Sequence, residues 1–364
     1  MLFGCVVMFQ LVWILLAAAD QHVDRAAIQV QERELARKWG RPSKSQTRTL
    51  HTRLLTNVMA QGSFAGLVTF AHLPYTQCLN SLRHKYDVAI VGAPFDTGST
   101  YRSEAYMELG SRDPAFDAGK AHDDVDEGFA RYPKLITLGG DHSIALPALR
   151  ALHELYQKPI AVVHFDAHCD TWPGLKQEDD EYWFSEQANY NHASVFWNAA
   201  QERLLANGSC IHAGLRSRLT GTSFQDYAND VQQGFMQIEV DDIDRWGVEG
   251  IAKRIMARVG TEIPVYLSID IDVLDVAYAP ATGTPEAGGW STRELIRILR
   301  GIEGLNVVGA DIVEVAPAYD GVGEPTSIAA TQIVYEVLTS IVKRGLKAVE
   351  DDSKAENYHL KDEL

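Results

Sequence analysis

Ile160-Ala-Val-Val163, running straight into His164-Phe-Asp-Ala-His-Cys-Asp-Thr-Trp172, is the stretch that decides how this chain folds. Lys158 and Pro159 precede it, and the unbroken apolar run reads as a strand buried on both faces of a parallel sheet. Polar groups then arrive together at the carboxyl end of that strand, where open α/β sheets bind ligands. Asp166, His168 and Asp170 are spaced two apart, so in an extended segment all three project to one side. Carboxylates and an imidazole converging in this way are half of a metal site, because a cation is what joins them without repulsion.

Working outward, strands and helices alternate. Strands are expected over 86–92, 134–138, 210–214, 235–239, 264–269 and 306–310. Helices are expected over 143–156, 191–206, 248–259, 292–300 and 327–343. Pro147 falls in a first helical turn, where proline is tolerated. Ser291 and Glu294 have capping-box spacing, and Asn207-Gly208 ends the helix before it. The alternation predicts an α/β, three-layer sandwich with a mainly parallel central sheet and helices on both faces. One catalytic domain over 64–345 is the simplest count.

Composition narrows the function. A chain of 364 residues with 46% apolar and 23% charged residues has the make-up of a globular protein able to bury a large core. Its net charge of −16 argues against nucleic acid and anionic membranes as partners and is compatible with a small cationic one. Residues 1–19 are apolar, carry no charged side chain, and end Ala17-Ala-Ala19 before Asp20, which reads as a cleaved signal peptide. An uncleaved anchor and a buried core helix are the other readings. Residues 20–63 form a polar arm. Residues 346–364 are an acidic tail that ends Lys361-Asp-Glu-Leu364, the retention address of the endoplasmic reticulum lumen, although a solvated tail can end so by chance. These signals place the protein in that lumen or, as the alternative, outside the cell, with no membrane contact after cleavage. On that route the sequon Asn207-Gly-Ser209 becomes usable. The cysteines outside the leader, Cys78, Cys169 and Cys210, are too sparse for a disulfide framework.

Two other strand ends repeat the opening signature. Gly139-Gly-Asp-His142 is a glycine turn that delivers His142 to the top of the sheet. Ser268-Ile-Asp-Ile-Asp272 again sets two carboxylates, Asp270 and Asp272, two apart, with Pro280-Ala-Thr-Gly-Thr-Pro285 beyond. One Asp-x-Asp alone reads equally well as a loop cap. Three such clusters at three strand ends read as a metal site built from His142, Asp166, His168, Asp170, Asp270 and Asp272. Hard oxygen ligands with a minority of imidazole favour manganese, and four carboxylates balance two divalent ions. Two ions about 3.5–4 Å apart can share and deprotonate a water, so attack of a hydroxide on a planar carbon is the expected chemistry.

These motifs resemble the ureohydrolases: arginase, agmatinase, guanidinobutyrase and their relatives. The resemblance rests on Gly139-Gly-Asp-His-Ser143, Asp166-Ala-His-Cys-Asp170 and Ser268-Ile-Asp-Ile-Asp272 with the proline- and glycine-rich run that trails it. It implies a pair of Mn2+ ions on the six residues just named, a homo-oligomer, and hydrolysis of a guanidino group to urea and an amine. It further implies that Asp170 orients or deprotonates the attacking hydroxide and that Glu314 pairs with the substrate guanidinium. Thr284 then helps bind substrate, and His192 transfers a proton. The usual glycine after that histidine is Ala193 here. Glu314 alone could be an ordinary ion pair, and His192 a capping or core histidine. Asp170-Thr-Trp172 stands where arginases carry Asp-Ile-Asn. With Gly288-Gly-Trp-Ser-Thr-Arg-Glu294 and Ala316-Pro-Ala-Tyr-Asp320, this favours agmatine or another decarboxylated guanidino compound. Guanidinobutyrase or arginase specificity is the alternative.

The resemblance breaks between 102 and 133. Several dozen residues of the family pattern, including an edge strand and its flanking helices, have no counterpart there. This supports a second reading from another class: an inactive or unstable ureohydrolase-like protein.

Overall fold

The computed structural model describes residues 4–8, 87–93, 95, 133–173, 190–220 and 223–362. The arm at 20–63, the break at 102–131 and most of the acidic loop at 173–190 lie outside them. Among the described residues the strands are β1 (Gly4–Met8), β2 (Val88–Ala93), β3 (Lys134–Gly139), β4 (Ala161–Phe165), β5 (Cys210–Leu215), β6 (Phe235–Glu239), β7 (Val265–Asp270) and β8 (Val307–Val313). They form one sheet in the order β1-β2-β3-β8-β7-β4-β5-β6, and every pairing is parallel.

The apolar run that opened the reading shows why the sheet has two covered faces. Along β4 successive side chains alternate. Ala161, Val163 and Phe165 join one core cluster, while Ile160 and Val162 join the other. Helices α1 (Ala145–Tyr156) and α2 (Val195–Gln201) cover the Val162 face. On the Val163 face lie α4 (Asp242–Val259), α5 (Thr292–Gly301) and α6 (Pro325–Asp362), so the arrangement is three-layered as expected. Each of these branched side chains contributes roughly 1.5–3 kcal/mol by leaving water. Helix α5 starts at the expected capping box, with Ser291 N–H donating to Glu294 Oε2 at 2.8 Å.

The elements differ from expectation in four places. The helix expected over 191–206 stops at Gln201, because Ile160 exchanges hydrogen bonds with Leu204 O and Ala206 N, each at 2.8 Å. Those sheet-type bonds take the backbone that a further helical turn needs. A short helix, α3 (Gln225–Gln232), has no counterpart in the expected elements. Its buried residues are Asp226 and Asp230, so no apolar stripe announces it. Helix α4 begins at Asp242, and Gly247, at φ 63°, kinks it just before the start expected at 248. Helix α6 runs through Asp362 and so takes in most of the acidic tail.

The edge of β2 carries β1 in register from Gly4↔Val88 to Met8↔Gly92. These are residues that the sequence assigns to a leader. Among the described residues no helix is long and apolar enough to cross a membrane.

Candidate metal centre

Four consecutive strands, β3, β8, β7 and β4, bring the predicted side chains to one edge of the sheet. Gly140 makes this close approach feasible. A Cβ there would lie 2.7 Å from Phe95 O and 2.8 Å from Ala93 O. The glycine is therefore needed for clearance, and its φ is not in the left-handed region. Asp141 then caps a short 3-10 turn, its Oδ1 accepting from Ser143 N–H at 2.8 Å, and His142 is carried inward.

The expected two-residue alternation is not what aligns the carboxylates. Strand β4 ends at Phe165, and Asp166 Oδ1 accepts from His168 N–H at 2.6 Å. After β7, Asp270 Oδ1 accepts from Asp272 N–H at 2.8 Å across a 3-10 turn. Each pair converges because an aspartate caps the amide two residues on, which turns the chain. Asp170 and Glu314 complete the turns with φ of 53° and 59°, a conformation that costs a non-glycine residue on the order of 1 kcal/mol. Both are held there from outside. Asp170 O accepts from Phe196 N–H at 3.0 Å, and Glu314 N–H donates to Gly140 O at 2.7 Å.

All six predicted ligands come together. His142 Nδ1 stands 2.9 Å from Asp170 Oδ2, 3.4 Å from Asp166 Oδ2 and 3.5 Å from Asp270 Oδ2. His168 Nδ1 stands 3.0 Å from Asp272 Oδ2 and 3.2 Å from Asp166 Oδ1. Two donor clusters result, His142-His164-Asp166-Asp170 and Asp166-His168-Asp272, and Asp166 belongs to both. His142 Nδ1, His164 Nε2 and Asp166 Oδ2 are inaccessible to water, yet none of them makes a hydrogen bond. Buried polar atoms left in that state are costly. Close donors of this kind fit a cation, so the chemistry of the buried cluster suits a metal site.

The charges say the same. Burial pushes the carboxyl of Asp270 well up, and the charges of Asp166 and Asp272 add to it; Asp272 is raised by burial and by Asp166. Burial opposes a charge on His142, but Asp166, Asp170 and Asp270 overcome it and raise that imidazole well above its usual range. His168 is raised likewise against burial, by Asp272 and Asp166. Without a cation, protons take its place. Behind His142, Nε2 meets Ser268 Oγ at 2.7 Å, and Ser268 donates to Asp311 Oδ1 at 2.7 Å. Tyr266 donates to the other oxygen of Asp311 at 2.6 Å. The serine has one proton and gives it to Asp311, so its oxygen accepts His142 Nε2–H. That leaves Nδ1 with its lone pair toward the cluster.

The remaining predicted residues lie around this centre. Glu314 is buried, and its Oε1 accepts from His142 N–H at 2.6 Å. His192 heads a 3-10 turn capped by Asn191, with its Nδ1 3.8 Å from Asp141 Oδ2. Burial disfavours its charge, but Asp141 and Asp170 raise the imidazole. Thr284 Oγ1 donates to Asp272 Oδ2 at 3.3 Å, so its hydroxyl bears on a ligand carboxylate. Trp172 is half-buried, and its N–H donates to Ala193 O at 3.0 Å, next to His192. Cys169 is buried, and burial raises its thiol, which keeps it a packed, protonated residue.

Sequence reasoning did not single out His164, Ser268, Asp311 or Arg216 as functional. The Arg216 guanidinium donates to the carbonyls of Gly214, Asp272, Val273, Leu274 and Glu286, and so ties down the loop after β7. His164, Ser268 and Asp311 did carry a sequence signal, as polar residues inside apolar strands.

Residues 107–339 match the Arginase family. "Putative agmatinase 3" of Schizosaccharomyces pombe is 41% identical over 354 residues, covering 81% of this chain and 85% of its own. Two solved structures share the fold. A hypothetical agmatinase from Burkholderia thailandensis has a TM-score of 0.60 and 30% identity, over 79% of this chain and 94% of its own. Proclavaminate amidino hydrolase from Streptomyces clavuligerus has a TM-score of 0.59 and 31% identity, over 77% and 99%.

Proposed function

This chain belongs to the arginase family of hydrolases, and from that premise we propose that it is an agmatinase-like ureohydrolase with a pair of Mn2+ ions. The observation that carries the proposal is the single carboxylate, Asp166, shared by two donor clusters. His142 meets Asp166, Asp170 and Asp270 at one position, and His168 meets Asp166 and Asp272 at the other. When bound, the ions supply Lewis acidity and make a water nucleophilic near neutral pH.

The chain's own residues do the rest. Glu314 is a buried carboxylate beside the cluster, suited to hold a planar guanidinium by paired hydrogen bonds. Its backbone, in the left-handed region and tied to Gly140, keeps that carboxylate from swinging away. Asp170 sits at the rim of the first cluster and accepts the proton of the attacking water. His192, raised by Asp141, passes a proton to the departing amine nitrogen, which balances the reaction as guanidine plus water to urea plus amine. Thr284 positions Asp272 and bounds the substrate. Trp172 occupies the place of a polar residue in arginases, which supports agmatine over arginine. The product is then urea and a diamine. The test is a panel of agmatine, guanidinobutyrate and arginine with the Mn2+-loaded protein. Agmatine turned over fastest supports the reading; arginine turned over fastest overturns the specificity.

The six candidate ligands all lie after residue 133, beyond the stretch where the resemblance breaks, and they converge. This favours the active enzyme over the inactive reading. A homo-oligomer is carried forward from the resemblance, with sedimentation as its test. The secretory route rests on residues 1–19, the Lys361-Asp-Glu-Leu364 ending and the exposed Asn207 sequon. It competes with β1, because cleavage after Ala19 removes Gly4–Met8 from the β2 edge. Sequencing the mature amino terminus separates the two: Asp20 supports the leader, and an intact Leu2–Met8 rules it out.

A further inference from the structure

A file of buried side chains leads away from the metal cluster on the side opposite Glu314. His164 Nε2 stands 2.8 Å from Asp166 Oδ2, and His164 Nδ1 meets His212 Nδ1 at 2.7 Å. His212 Nε2 then faces Asp230 Oδ1 at 3.3 Å. The two imidazoles and Asp230 are all inaccessible to solvent. Phe235 stacks on the His212 ring at 4.0 Å and 7°, and Phe196 meets the His164 ring edge-on at 4.6 Å. The rings therefore cannot turn away from one another. Asp230 is itself fixed, accepting from Thr171 Oγ1 and, at 3.1 Å, from Gln237 Nε2.

Each contact in this file joins groups that can share one proton, and its two ends are carboxylates: Asp230 beyond His212, and Asp166, the carboxylate that both clusters share, beyond His164. Asp230 stays ionised: burial alone would raise it, but His212, Thr171 and Gln237 pull it below the usual carboxylate range.

We propose that Asp230 and His212 are positioning residues of the metal centre, which set the His164 ring so that its Nε2 faces the first cluster beside the shared Asp166. This rests on the two-ion reading above and extends it by two residues, on β5 and α3, that touch none of the predicted ligands. Ligating carboxylates are commonly held by outer hydrogen-bonding groups, and here two imidazoles stand between Asp166 and Asp230. Thr171, adjacent to Asp170, also bonds Asp230, so the short helix α3 braces the cluster at two points. This gives a reason for a helix whose buried residues are acidic.

The test uses the purified Mn2+-loaded protein and follows ion release under chelator competition, in wild type, Asp230→Asn, and the double variant His212→Phe with Asp230→Leu. The double variant leaves no orphaned charge, and phenylalanine suits the space between Phe196 and Phe235. The expected result is that one of the two ions is held about tenfold to a hundredfold more weakly in both variants, while the other changes less than about twofold. The melting temperature of the metal-free protein should stay close to that of wild type for the double variant. Equal retention of both ions in wild type and variants overturns this proposal alone. Equal loss of both ions, with a lower melting temperature of the metal-free protein, overturns it in favour of a purely structural role. Fewer than two ions in wild type overturns the two-ion reading and this proposal with it.

Discussion

Ser268→Ala tests how the centre is tuned from behind. Ser268 is fully buried on β7 and lies in register with Asp311 on β8. Its hydroxyl bridges His142 Nε2 and Asp311 Oδ1, at 2.7 Å on each side. Alanine removes one oxygen and adds nothing, and Tyr266 still holds the other oxygen of Asp311. Two losses follow. A hydrogen bond to a charged acceptor disappears, worth about 1.5–3 kcal/mol. The tautomer of His142 is also no longer fixed, and the loss of such a partner weakens metal affinity about tenfold to a hundredfold, or about 1.4–2.7 kcal/mol. The two magnitudes agree, so most of the lost bond should appear as weaker metal binding. The assay pairs chelator competition with denaturant unfolding of the metal-free protein. The reasoning predicts metal held at least about tenfold more weakly. It is refuted if stability falls by the full amount of the bond while metal affinity stays within about twofold, because the contact would then be packing and nothing more.

Glu314→Gln keeps shape and removes charge, so kcat/KM for a guanidino substrate should fall by about 3–5 kcal/mol, while both ions stay bound. Metal content and steady-state kinetics on the same sample check it, and unchanged kinetics would remove Glu314 from substrate binding. Metal uptake should strengthen as pH rises. His142 and His168 are both raised in the metal-free protein, so they hold protons that an incoming ion must displace. Proton release in weakly buffered solution measures this, and uptake that is independent of pH between about 6 and 8 would contradict it. Gly140→Ala should destabilise the fold by roughly 1–3 kcal/mol or more, since the added Cβ lies 2.7–2.8 Å from backbone atoms of Ala93 and Phe95. Thermal unfolding measures that cost.

The convergence of the six candidate ligands was legible because each follows an apolar run, and a strand's carboxyl end is a place that sequence can locate. The same is true of the capping box at Ser291, where both partners lie within three residues. What sequence could not supply is the geometry between strands. His164, His212 and Asp230 form one file, yet 48 and 18 residues separate them. Nothing local marks His212 as a partner of His164; only the parallel register of β4 and β5 sets them side by side. These carboxylates do converge, but not by the alternation of an extended strand. Asp166 and Asp270 turn the chain by capping amides, and Asp170 takes a left-handed φ that no periodicity announces. Helix α3 escaped because its inner face is polar, and β1 because an apolar leader and a short edge strand have the same composition.

The central claim is that two clusters joined through Asp166 hydrolyse a guanidino group. The most direct test is one sample of purified protein loaded with Mn2+, assayed for bound metal and for urea released from agmatine. The account predicts two ions per chain and one urea for each diamine formed. Two tightly held ions in a folded protein, with no urea from agmatine, guanidinobutyrate or arginine, would contradict it.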